Sequence, residues 1–195
     1  RPAPVALGTH PYLRVGRVPT EELWLTVEAE RHLVVDAALI PVGDEPVDDE
    51  VDLRRGHVLG RRERNTCYHG LTPHGSATEA GCGAVSGRGG IGGPAGHEAL
   101  SRYRHVLTAP DGRAVHLWSD ASFVYVQVYV TDRFPDPEVG TTRAVAVEPM
   151  TAAPDALNSG RGLRWLAPDE RWDLAWGVRT VGWPGGEGPT GSPPS

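Results

Sequence analysis

The chain has 195 residues, of which 39% are hydrophobic and 23% charged, the make-up of one soluble globular domain or a large part of one. Its net charge of −6 leaves no basic footprint for a nucleic-acid partner, and no apolar run approaches the ~18 residues needed to cross a membrane. Glycine (25) and proline (18) together exceed one residue in five and punctuate short runs rich in Val, Trp and Tyr, which predicts an all-β fold.

Val5 to Val15 (VALGTHPYLRV) reads as a strand interrupted at His10-Pro11. Proline has no N–H and holds the residue before it extended, so this step suits a sheet edge or a strand end. Leu23 to Val27 and Arg31 to Val35 are the next predicted strands, with Glu28-Ala29-Glu30 as the turn between them. Asp36 to Gly43 is an apolar stretch ending in a Pro/Gly break, and the acidic residues from Asp44 to Asp52 read as a solvated loop. The Gly-rich segment over residues 70–96 has little to bury and reads as a flexible loop. Beyond it, Tyr103 to Thr108 and Ala114 to Trp118 flank Pro110-Asp111-Gly112 as a hairpin. Phe123 to Val130 is the clearest strand, with Val124, Val126 and Val128 alternating with Tyr125, Gln127 and Tyr129. Arg143 to Val147 and Trp172 to Val181 complete one β domain over residues 1–181, and the Gly/Pro/Ser-rich residues 182–195 read as a disordered tail.

Several motif readings compete. Gly87 to Gly92 matches the dinucleotide pattern GxGxxG, but Gly93-Pro94 follows where a helix would have to open onto the pyrophosphate. Cys67, His69, His74 and Cys82 fit no standard zinc spacing. There is no G-x-S-x-G elbow for a serine hydrolase. Two cysteines give no disulfide framework and read as reduced thiols of a cytoplasmic protein.

Glu148 ends an apolar run, and Pro149 after it is expected to stop the strand ladder. A carboxylate held there, partly out of water, acquires a raised pKa and suits a general base, although a solvated strand-end Glu reads the same way in sequence. His10, at another strand end, is the matching candidate acid, or a surface histidine. Spacing alone does not show whether the two meet.

Arg143 to Leu166 (RAVAVEPMTAAPDALNSGRGLRWL), followed by Ala167-Pro168-Asp169, resembles the signature of the aldose 1-epimerase family: a strand ending in Glu-Pro-Met-Thr, an Asp-Ala-x-Asn segment, then a Leu-x-Pro-Gly turn. Thr9 to Tyr12 resembles the family's His-x-Tyr motif, Leu33 to Gly43 its Val-Asp-x-x-x-Ile-Pro-x-Gly segment, and Val126 to Tyr129 the segment with a substrate-binding Gln. The resemblance implies a galactose mutarotase-like β-sandwich that interconverts the α and β anomers of a free hexose such as glucose or galactose. By position Glu148 is then the general base and His10 the general acid, with Gln127, Asn65 and Tyr12 binding substrate; no metal or organic cofactor is implied.

The departures are specific. Asn65 stands where the family has a substrate-binding Asp, and Asp169 where its later turn has Gly. The family's N-terminal half, with an Asn-Arg motif and a further active-site His, has no counterpart in these residues, so an incomplete sandwich is expected. The alternatives are a non-catalytic carbohydrate-binding module or an inactive truncated enzyme on the same scaffold. An epimerase of phosphorylated sugars is a third reading, for which Arg61, Arg62 and Arg64 are the only dense cationic group in sequence.

Overall fold

The computed structural model describes residues 1–74 and 102–183. The dinucleotide-like glycines, Cys82, most of the Gly-rich segment and most of the C-terminal tail lie outside these residues. The described strands form two facing antiparallel sheets and a small ribbon. The six-stranded sheet has the order β2 (Tyr12–Leu13), β11 (Gly140–Met150), β10 (Tyr125–Asp136), β7 (Arg64–Leu71), β4 (Ala29–Val35), β5 (Pro41–Pro46). The five-stranded sheet has the order β13 (Trp176–Val181), β9 (Ala114–Ser119), β8 (Tyr103–Thr108), β3 (Trp24–Val27), β6 (His57–Val58). β1 (Ala3–Val5) pairs with β12 (Arg164–Leu166). A single helical turn, α1 (Ala156–Ser159), lies between β11 and β12. Among the described residues no helix is long and apolar enough to cross a membrane.

The alternation read in the sequence decides which face is which. Val126, Val128 and Val130 of β10 and Val145 and Val147 of β11 point between the sheets and are fully buried, against Leu25, Val27, Leu107 and Leu117 of the opposite sheet. Burial of such side chains contributes about 1.5–3 kcal/mol each. Tyr125, Gln127 and Tyr129, and their neighbours Ala146 and Glu148, therefore occupy the other face of the six-stranded sheet.

Several expectations are corrected. Glu28 to Glu30 is not a hairpin turn: β3 ends at Val27 and β4 begins at Ala29, and the chain passes there from one sheet to the other. Within Asp36 to Gly43, Asp36 to Ile40 is the turn between β4 and β5 and Pro41 to Gly43 already belong to β5; the Asp36 carboxylate accepts from the amides of Ala38 (2.9 Å) and Ile40 (3.0 Å), and Leu39 takes a φ of +62°. Residues 44–46 belong to β5 rather than to a solvated loop, and Gly70 and Leu71 still belong to β7. The first predicted strand is only the short β1 and β2, and between them Gly8 bridges to Met150 at the end of β11. The last one starts at Trp176, not Trp172. Pro149 does not end the ladder: β11 runs on to Met150. Its carbonyl accepts from Thr9 at 3.2 Å, so the edge of Pro149 that lacks an N–H faces the outer border of the sheet rather than β10.

Candidate functional site

The outer face of the six-stranded sheet gathers the residues singled out in the sequence. Gln127 stands directly between Glu148 of β11 and Cys67 of β7, while Tyr129 stands between Ala146 and Asn65. Tyr12 lies opposite Ala146 from the far side. His10, just before β2, places its Nε2 3.0 Å from the Glu148 carboxylate. The proposed acid and base are thus on one face and in direct contact. Their burial differs: the His10 side chain is 52% exposed and that of Glu148 12%. Burial raises the Glu148 pKa, and the opposing charge of His10 pulls it back in part.

Aromatic rings wall this pair. His10 lies 5.0 Å from the Tyr12 ring and 6.2 Å, edge-on, from Tyr129, and Tyr12 packs on Phe134 at 4.5 Å. The Gln127 side-chain amide donates to the Asn65 carbonyl at 2.6 Å, so these two polar groups present a joined hydrogen-bonding edge. An open cavity of about 640 Å³ runs along the border of β2 past Tyr12, Phe134 and Thr142, with His10 and Glu148 outside its wall.

Sequence reasoning missed a cluster further along the same face. Asp44 of β5 accepts from Arg31 Nε at 2.6 Å, lies 3.0 Å from His69 Nε2, and binds Arg161 through its other oxygen. Burial opposes ionisation of Asp44, but the bonds from Arg161 and Arg31 prevail and hold its carboxyl well below the usual carboxylate range. Arg161 also lies over the Tyr125 ring at 6.0 Å. Its position is set by the segment after β11. The Thr151 amide donates to the Leu7 carbonyl at 2.9 Å and Ala153 to that of Arg161 at 3.2 Å, folding residues 151–161 back over the sheet. Gly162, at φ +76°, fits there because a Cβ would stand 2.9 Å from the Ala152 Cα. No local pattern signals that Arg161 and Asp44, 117 positions apart, meet.

The remaining candidates are placed individually. Cys67 is buried beneath the site, and burial pushes its thiol up to about 12. His74 lies 3.5 Å from Glu28 rather than beside Cys67. Of the cationic group at residues 61–64, Arg64 is buried and Arg62 pairs with Glu50. Asp169 takes a φ of +66°, the left-handed conformation for which Gly is the common choice and Asp an accepted one.

No protein-family model and no curated protein sequence matches the chain. Solved structures do. A candidate aldose 1-epimerase from Escherichia coli K12 superposes with a TM-score of 0.59 at 16% identity, covering 92% of this chain and 52% of that one. A galactose mutarotase-like protein from Clostridium acetobutylicum gives 0.63 at 12%, covering 92% and 49%. An aldose epimerase homologue from Caenorhabditis elegans gives 0.62 at 16%, covering 92% and 53%. The chain spans about half the length of each. The fold of this chain is the galactose mutarotase-like β-sandwich.

Proposed function

We propose that the chain carries the acid/base centre of an aldose 1-epimerase-like isomerase, with Glu148 as base and His10 as acid. The observation that carries this reading is their 3.0 Å contact on one face of the sheet. Ring opening of a hemiacetal needs a proton removed from the C1 hydroxyl and another delivered to the ring oxygen, and both oxygens are bonded to C1. Two groups side by side suit two oxygens on one carbon.

In this reading Glu148 takes the proton from the C1 hydroxyl, and the O–H electrons form the aldehyde C=O. The bond from C1 to the ring oxygen breaks, and that oxygen takes the proton from His10 Nε2. Rotation about C1–C2 turns the other aldehyde face to the ring oxygen, and closure reverses both transfers. Burial, by raising the Glu148 pKa, makes its carboxylate a stronger base than an exposed one. Gln127 and Asn65 hydrogen-bond sugar hydroxyls, and Tyr12 with Tyr129 supplies the apolar wall against the ring.

A second reading, sugar binding without catalysis, is favoured by Asn65, which offers hydrogen bonds but no charge. Polarimetry on freshly dissolved α-glucose or α-galactose separates the two. Mutarotation faster than the spontaneous rate supports the isomerase; binding by calorimetry with no acceleration supports the module.

A further inference from the structure

We propose that the sugar taken by this site is anionic, an aldose bearing a phosphate or carboxylate on a carbon remote from C1, with that anion held by Arg161 and Arg31. The inference rests on the acid/base reading above, which fixes where C1 lies, and it adds the substrate class.

Three observations carry it. First, charge: Arg31 and Arg161 share the single carboxylate of Asp44, which leaves one positive charge over within this cluster, while the negative charge of Glu148 lies at the other end of the same face, on a chain whose net charge is −6. His69, on the same carboxylate, adds a second positive charge whenever it is protonated. Glu45 and His32 do not alter the balance there, since they pair with each other at the register position next to Asp44 and so belong to the opposite face of the sheet.

Second, unused donors. Arg31 spends Nε and one Nη on the Asp44 side chain and carbonyl (2.6 and 2.7 Å), and Arg161 spends one Nη on Asp44 and also hydrogen-bonds the Tyr125 side chain. These contacts saturate neither guanidinium, and the two side chains remain 41% and 37% exposed. Asp44 serves to orient them: two guanidiniums fixed on one carboxylate present a preorganised pair of forks, the geometry that suits phosphate or carboxylate.

Third, reach. Arg161 stands over Tyr125, and Tyr125 and Gln127 are successive same-face residues of β10, about 7 Å apart along the strand. Gln127 is directly opposite Glu148. A pyranose with C1 at Glu148 therefore has Gln127 beneath it and the cationic pair beyond its far side, where a remote substituent projects. A neutral sugar leaves that pair without a ligand charge.

The test follows anomer exchange by NMR, above the uncatalysed rate of each sugar, for glucose, glucose 6-phosphate and glucuronate. The charge-assisted contact is expected to raise kcat/KM for one or both anionic sugars about tenfold to a hundredfold over glucose, and the two anionic arms tell phosphate from carboxylate. In Arg161→Gln the ratio should fall to about one, and in Arg161→Lys to an intermediate value. Equal or better turnover of glucose by the unaltered protein overturns the inference while leaving the isomerase reading intact, and it needs no variant that must fold. An anionic preference that persists undiminished in Arg161→Gln overturns it too. If no sugar is turned over, the acid/base reading fails separately. Calorimetry with the same three sugars then decides: tighter anionic binding lost in Arg161→Gln upholds the anion site, and equal or absent binding refutes it.

Discussion

His105 of β8 makes the fold itself sensitive to acid. It is 2% exposed, faces the core beside Leu117 and Val27, and neither ring nitrogen has a hydrogen-bond partner among the described residues. Burial, with a smaller contribution from His74, drives its pKa from 6.5 down to about 3. The native imidazole therefore stays neutral where the unfolded one already binds a proton. Above pH 7 both states are neutral and stability does not depend on this group. As pH falls below 6.5 the unfolded state gains a proton that the native state does not, and stability falls until about pH 3. At pH 5 the loss from this residue alone is about 2 kcal/mol. Urea unfolding of the parent protein and of His105→Leu at pH 7.5 and pH 5.0 isolates it, because other titrating groups cancel in the double difference. The parent is expected to lose about 2 kcal/mol more than the variant across that interval. At pH 7.5 the variant should be no less stable, since it removes a buried polar ring without partners. Equal pH dependence in the two proteins would refute the reasoning.

Other consequences are as direct. Glu148 has a raised pKa, so the buried carboxylate costs stability at pH 7 and that cost disappears as pH falls below the ordinary value of 4.5; Glu148→Gln should melt at or above the parent Tm at pH 7, with the difference gone at pH 4 by calorimetry. Gly162→Ala would force a Cβ to within 2.9 Å of the Ala152 Cα at a positive φ, so it should lower Tm and weaken sugar affinity together by displacing Arg161. Val128→Ala, in the fully buried stripe of β10, should cost about 2 kcal/mol in urea unfolding. Asn65 accepts from Gln127, a role Asp also fills, so Asn65→Asp should keep sugar affinity while Asn65→Leu raises KM several-fold in an anomer-exchange assay.

What the sequence made legible was local periodicity. The alternation from Val124 to Tyr129 assigned Val126 and Val128 of β10 to the core, and with them the site face that carries Gln127, although Val124 lies before the strand and is exposed. The turn at Pro110 to Gly112 was equally readable, because its chemistry is confined to four residues. The misreadings came where tertiary context outweighs residue preference. Pro149 sits inside β11 because its unpaired edge faces the border of the sheet, which depends on where the residue 8–11 segment runs. Ala29 opens a strand rather than a turn because the chain changes sheets there. Asp44 looked like one more charge in an acidic loop; what makes it part of the site is Arg161, brought to it by the fold-back of residues 151–161. The juxtaposition of His10 and Glu148 was suggested by motif resemblance and not by any spacing.

The isomerase reading requires that the carboxylate of Glu148 move protons. The most direct measurement is the rate of α-to-β exchange of a reducing sugar with equal amounts of parent protein and Glu148→Gln, each shown to be folded. The amide keeps the size of the side chain and cannot take the C1 proton, so the enzyme-dependent rate should drop by about 10²- to 10⁴-fold. A Glu148→Gln protein that accelerates exchange as well as the parent would contradict the assignment.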